Sequence, residues 1–242
     1  MSDAAQTYQS LIDEALFRPV RSGNAFEDTV ARLLQTIRLG IVAPGEALPA
    51  ERELATRFSV SRDTVREAIR ELADAGYLVS RRGRYGGTFV TDTLPVASGS
   101  IHPLEPGEIE DVLGLREILE LGAARAAAAR TLSAAERDLL WTRLQETGAA
   151  AEADYRRLDS RLHLTLAELV GTPSLVSLIA DNRTRVNELL DRIPLLRPNI
   201  EHSNRQHEAI VVAILTGDAD RAAAAMGEHL EGSAALLRGF LA

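Results

Sequence analysis

Residues 59–72 read SVSRDTVREAIREL, and this stretch decides the fold. Val65, Ala68, Ile69 and Leu72 recur at three- and four-residue spacing, which marks one buried helical stripe, while Arg62, Arg66 and Arg70 run along a different line. Ser61 stands where an N-cap hydroxyl is wanted and Gly76 where a helix stops, so the spacing predicts a helix over 62–75. Ser59-Val60-Ser61 leaves room only for a tight bend before it. Ahead of that bend Leu54, Ala55 and Phe58 give a shorter helix its inner face, with Pro49 in its first turn and Glu51 and Glu53 near its positive end. Further upstream FEDTVARLLQTIRL, residues 26–39, places Phe26, Val30, Leu33, Leu34 and Ile37 at helical spacing before Gly40. IVAPGEALP between the two is read as a turn-bearing connector. Downstream the period drops to two: YLVS and TFVT flank the basic, glycine-rich RRGRYGG. Three helices followed by a hairpin with a basic tip form a winged helix-turn-helix, a DNA-binding plan.

The composition is that of a folded protein, with 242 residues, 45% hydrophobic and 26% charged, enough for two domains with real cores. A net charge of −8 at pH 7 argues against nucleic acid until it is divided. Residues 24–93 hold 10 Arg against 10 Asp and Glu, whereas residues 94–242 hold 15 Arg against 22, so the acidity lies in the second part. Arg81, Arg82 and Arg84 keep the hairpin locally basic. Without Cys there is neither a disulfide framework nor a thiolate metal site. No apolar run is long enough to span a bilayer and no basic leader precedes one, so the expectation is a cytoplasmic protein with no membrane partner.

DTLPVASGSIHPLEPG, residues 92–107, lacks a steady period, and the linker is placed at 93–106. Beyond it, stretches near 107–130, 133–150, 152–171, 173–192, 198–217 and 218–240 all carry one-sided apolar stripes with short breaks. The expected fold class is mainly α: a winged helix-turn-helix with a small β-hairpin wing over 24–92, then an all-α antiparallel bundle over 107–242. Residues 1–23 are read as an arm, with a packed helix through Leu11, Ile12, Ala15 and Leu16 as the alternative.

Polar residues interrupt the bundle's apolar faces. Asp159 and His163 are four apart on one helix face, His207 shares a stripe with Ile210, Val211 and Ile214, and His229 one with Ala222 and Met226. Three imidazoles and a carboxylate from three helices suit Zn²⁺ or another divalent first-row metal, nickel and manganese included. Arg116 falls in the middle of an apolar line through Ile109, Val112, Leu113, Leu119 and Ala123. A buried Arg needs an anion, and either Glu120 or the carboxylate of a small bound molecule would serve.

PGEALPAERELATRFSVSRDTVREAIRELADAGYL followed by GGTFV resembles the DNA-binding domain of GntR-type bacterial transcription regulators. DSRLH, RQHEAIVVAILTGD and AAMGEHL resemble the C-terminal FCD-type sensor domain of their FadR branch. The resemblance implies that Arg52, Ser61, Arg62, Thr64, Arg66 and the wing residues Arg82 and Gly83 meet DNA. It implies that Asp159, His163, His207 and His229 hold the metal and that Arg116 binds an effector. The wing departs from many relatives at Tyr85, and Thr172 stands where relatives usually have Asn, which puts pocket polarity in question. His102 and His202 match nothing and are read as solvated.

The expected function is a ligand-responsive repressor, activation being the other sign. The expected partners are a near-palindromic double-stranded operator, a small carboxylate effector and a second copy of the chain. The rival class is a metal-dependent enzyme using the Asp/His cluster. No second inward carboxylate is seen at general-base spacing, and a DNA-reading domain would be idle in such an enzyme, so the expectation is not an enzyme. A sensorless architectural DNA protein is a third class, opposed by Arg116 and the acidic second half.

Overall fold

The computed structural model describes residues 16–17, 25–83, 86–95, 104–105 and 107–241, which fall into two compact units. The first holds helices α1 (Ala25–Arg38), α2 (Glu51–Phe58) and α3 (Arg62–Asp74) and the antiparallel hairpin β1 (Leu78–Arg81) and β2 (Gly87–Val90). This is the expected winged helix-turn-helix. Leu33, Ile37, Leu54, Phe58, Val65, Ala68, Leu72, Leu78 and Val90 close its core. Phe58 is fully buried there, a contribution of about 1.5–3 kcal/mol.

The bend between α2 and α3 is built by two serines. Ser59 takes the left-handed conformation at φ 56°, while Val60 N–H reaches back to the Ala55 carbonyl at 3.1 Å, ending α2. Ser61 stays extended, and its Oγ accepts from Thr64 N–H at 3.0 Å, which starts α3.

The hairpin pairs Leu78 with Val90 and Arg81 with Gly87. The connector read as a simple turn does more. Gly45 N–H and Leu48 N–H donate to the carbonyls of Val90 and Thr88, and Val90 N–H donates to Glu46, so β2 has no open edge along this stretch. At the hairpin tip a Cβ on Gly86 would lie 2.5 Å from the Arg81 carbonyl oxygen, so only glycine closes this turn. Arg84 and Tyr85 lie outside the described residues.

Most of the expected arm and linker also lies outside the described residues, including His102. Two arm residues are not solvated. Leu16 and Phe17 are buried, and the Phe17 ring sits 5.5 Å from that of Phe58 with the Arg57 guanidinium 5.4 Å from its centroid.

The second unit is all helical: α4 (Glu108–Ala128), α5 (Ala134–Gly148), α6 (Glu152–Val170), α7 (Pro173–Leu190), α8 (Arg197–Thr216) and α9 (Ala219–Leu241). The connections are short, as a bundle requires. Gly171 and Gly217 end α6 and α8 in left-handed conformations, and a Ser133–Glu136 capping box starts α5. Helix α4 is central and packs on α6, α7, α8 and α9. Ala124, Ala127, Leu140, Leu162, Leu166, Ile210, Ile214 and Met226 fill one end of the core, and Val112, Leu113, Val186, Leu189 and Leu237 the other.

Candidate metal centre and nucleic-acid interface

On the first unit, the N-terminal turns of α3 present Ser61, Arg62 and Arg66 to solvent, with Thr64 half-buried beside them. Arg52 on α2 and Arg82 and Gly83 on the wing are also exposed. Arg66 is held by Asp63 at 3.0 Å and Glu51 at 3.2 Å, exposed pairs that position it but add little stability. Among the described residues neither Arg62 nor Arg70 makes an ion pair, although Glu67 and Glu71 flank Arg70 on α3. Both guanidinium groups remain open for phosphate or guanine.

In the second unit five of the six helices send charged or imidazole groups to one place. Helix α6 gives Asp159 and His163, α8 gives His207, α9 gives His229, α4 gives Arg116 and Glu120, and α7 gives Arg183, all buried. Asp159, His163, His207 and His229 each offer a ligand atom within 4.8 Å of all the others. His207 Nε2 lies 3.3 Å from His229 Nε2 and 3.3 Å from Asp159 Oδ1, and His163 Nε2 lies 3.9 Å from that oxygen.

These residues fit a metal. Four-coordinate zinc with bonds of about 2.0–2.1 Å wants donors about 3.3–3.4 Å apart. His163 Nε2 is buried with no hydrogen-bond partner among the described residues, an orphan that a cation would satisfy. Burial disfavours protonation of His163 and His229 and puts both below the ordinary histidine range, and for His229 the neighbouring imidazoles add to the effect. Neutral imidazoles offer lone pairs. Burial also opposes the ionised carboxylates of Asp159 and Glu120. The Arg183 guanidinium and the imidazoles outweigh it at Asp159, His163 and Arg116 outweigh it at Glu120, and both carboxyls fall below the usual range.

Charged neighbours orient the cluster. Glu120 Oε2 sits 2.6 Å from His163 Nδ1, a close contact not aligned as a hydrogen bond, and its other oxygen meets Arg116 at 3.4 Å and Arg183 at 3.8 Å. Arg183 also donates to Asp159 and to Ser160. Arg116 donates to Ser233 on α9 at 2.7 Å. Beside the cluster opens a cavity of about 300 Å³ whose lining includes Arg116, Asp159 and His229.

Two family profiles cover most of the chain. "Bacterial regulatory proteins, gntR family" matches residues 26–90 and "FCD domain" matches residues 111–232. The chain belongs to the GntR family. It is 31% identical over 225 residues to the "Putative L-lactate dehydrogenase operon regulatory protein" of Escherichia coli K12, covering 88% of this chain and 84% of the relative. It is also 31% identical to the "HTH-type transcriptional repressor NanR" of Cronobacter sakazakii, covering 88% and 85%. The structure of E. coli McbR/YncC shares the fold, with a TM-score of 0.56 at 17% identity over 89% of this chain and 97% of that one.

As a GntR-family protein with an FCD domain, the chain is a DNA-binding transcription regulator and not an enzyme. The structure corrects two expectations and adds one residue that the sequence reading missed. A further inward carboxylate does exist, since Glu120 is buried against His163, and it is committed to that imidazole and two arginines. Arg183 went unnoticed, although it interrupts the apolar line Val176, Ile179, Ala180, Val186 and Leu190 as Arg116 interrupts its own. Thr172 is exposed at the start of α7 and is not among the residues lining the cavity, while His202, exposed as expected, stands at its rim.

Proposed function

We propose that the chain is a ligand-responsive repressor. It binds a near-palindromic double-stranded operator as a homodimer, and its helical unit holds a divalent metal and a small carboxylate effector that alters operator binding. The supporting observation is the convergence of Asp159, His163, His207 and His229 beside a cavity that Arg116 lines. Zinc is the first candidate from the nitrogen and oxygen donor set, with nickel and manganese next. With these four side chains as ligands, a bound ion would offer an anionic ligand a place only by taking a fifth or sixth coordination position. Arg116 stands beside it as a fixed guanidinium, held by Glu120 and Ser233 and able to pair with a carboxylate.

At the operator, Arg62 and Arg66 read base edges from the major groove while Ser61, Thr64 and Arg52 hold phosphates and Arg82 and Gly83 follow the adjacent backbone. The division of labour runs with residues 24–92 reading DNA in the cytoplasm, 93–106 linking and 107–242 sensing and dimerising. The dimer surface is the outer side of α4 and α7, where Leu115, Ile118 and Leu178 are 39%, 74% and 50% exposed. Around them Asp111, Arg125 and Arg185 supply charges of both signs, as a face that meets its own copy requires. Mass spectrometry of protein purified without an affinity metal tests the sensor. Near-stoichiometric metal, lost in the Asp159→Ala, His163→Ala double variant, is the expected result, and its absence from both proteins would return the histidines to a structural role.

A further inference from the structure

The cavity beside the metal cluster joins a charged end to walls on which apolar side chains predominate. Arg116, Asp159 and His229 form that end, the floor, and from it the walls rise along three helices in step. Leu236 lies two turns along α9 from His229, Ile200 two turns along α8 from His207, and Leu190 two turns along α7 from Arg183, in each case about 10 Å away. Leu195 joins them from the α7–α8 connection. Two of the polar wall groups are already engaged. Arg156 pairs with Asp191 at 3.0 Å and donates to the Leu190 carbonyl, and Gln206 donates to the Glu228 carbonyl at 3.2 Å. Tyr155, Asn199, His202 and Ser203 add polar groups to the same lining, so a hydroxylated or dicarboxylate ligand is the competing occupant.

We infer that the effector is a monocarboxylate with an extended apolar body, its carboxylate at the Arg116 floor and its tail against Leu190, Leu195, Ile200 and Leu236. This rests on the sensor reading above and adds the class of molecule. At about 300 Å³ the cavity lies at the lower end of the usual range for ligand pockets, about 300–1,000 Å³, and holds more than a three-carbon hydroxy acid. Gly232 faces the cavity from the middle of α9, and a Cβ there meets nothing nearer than Gln206 Oε1 at 4.0 Å. A side chain at 232 therefore enters the tail's space without disturbing the helix.

The test is titration calorimetry of the full-length, zinc-loaded protein with acetate, butanoate, hexanoate and octanoate, beside hexan-1-ol, L-lactate and citrate. Each added methylene tightens binding about fourfold, the equivalent of about 0.8 kcal/mol per buried CH₂, until the cavity is full. Hexan-1-ol binds far more weakly than hexanoate. Gly232→Leu, checked for an unchanged melting temperature, leaves acetate alone and moves the break in the series to a shorter chain. A flat series, a break that Gly232→Leu does not move, or lactate or citrate binding more tightly than hexanoate overturns the apolar-tail assignment while leaving the sensor standing. Hexan-1-ol binding as tightly as hexanoate removes the carboxylate from it. Failure of every carboxylate to bind, with Arg116→Met indistinguishable from the parent, overturns the sensor reading itself.

Discussion

Replacing Glu120 by Gln keeps the side chain's shape and removes one charge from the middle of the buried cluster. Its carboxylate lies 2.6 Å from His163 Nδ1, 3.4 Å from Arg116 and 3.8 Å from Arg183, with all four groups almost wholly buried. Two separable losses follow. The carboxylate that orients His163 is gone, and outer partners of ligating histidines are typically worth 10–100-fold in metal affinity, or about 1.4–2.7 kcal/mol. In addition two buried guanidinium groups share one carboxylate, Asp159, where they had two. Breaking a buried ion pair from one side costs about 3–5 kcal/mol, and the amide oxygen recovers part of that by accepting a hydrogen bond, so we expect a loss of about 3 kcal/mol in metal-free protein. At roughly 2–4 °C per kcal/mol this lowers the melting temperature by about 6–12 °C. Zinc competition against a chromophoric chelator reads the first loss, and calorimetric melting of chelator-treated protein reads the second. A variant with parental zinc affinity and an unshifted melting temperature would show that Glu120 neither orients His163 nor balances the arginines.

Arg62→Ala should cost about 1–3 kcal/mol of operator affinity and relax base preference at one position per half-site, with the melting curve unchanged; retained discrimination in a binding-site selection would refute its base-reading role. Arg70→Ala should instead weaken binding evenly across sequences and reduce the slope of log K against log salt by about 1, and a sequence-dependent loss would refute a phosphate contact. His207→Ala should lower metal content while the purified protein still binds a non-specific duplex, and full metal occupancy would remove His207 from the ligand set. Ile118→Glu should convert a dimer to a monomer in sedimentation experiments, and an unchanged sedimentation coefficient would move the dimer surface elsewhere.

The DNA-reading unit was legible because local chemistry fixes it. The Ser61 cap, the apolar stripe of α3 and the two-residue period of the hairpin each act within a few residues, and the structure repeats them. Pairing of residues 45–48 against β2 was not legible, because a four-residue stretch carrying Gly45 and Glu46 shows no strand period until a partner strand supplies it. The same division holds in the bundle. Asp159, His163, His207 and His229 could be named from their places on apolar stripes. That Arg183 sits against Asp159, and that Glu120 serves an imidazole and two arginines at once, depends on which helices face one another. Arg183 had the same signature as Arg116, a charge amid apolar neighbours at helical spacing. Phe17 falls off the stripe of Leu11, Ile12, Ala15 and Leu16, and its burial against Phe58 and Arg57 depends on helices far along the chain.

Helix α4 has Arg116 turned into the cluster and Leu115 and Ile118 turned outward within the same turn. Successive residues are about 100° apart on a rod with 3.6 residues per turn, so no loop and no flexible joint separates the two faces. A shift of α4 as a rod therefore moves the Arg116 side and the Leu115 and Ile118 side together. Any rotation of this rod that improves the grip inside is felt outside in the same motion.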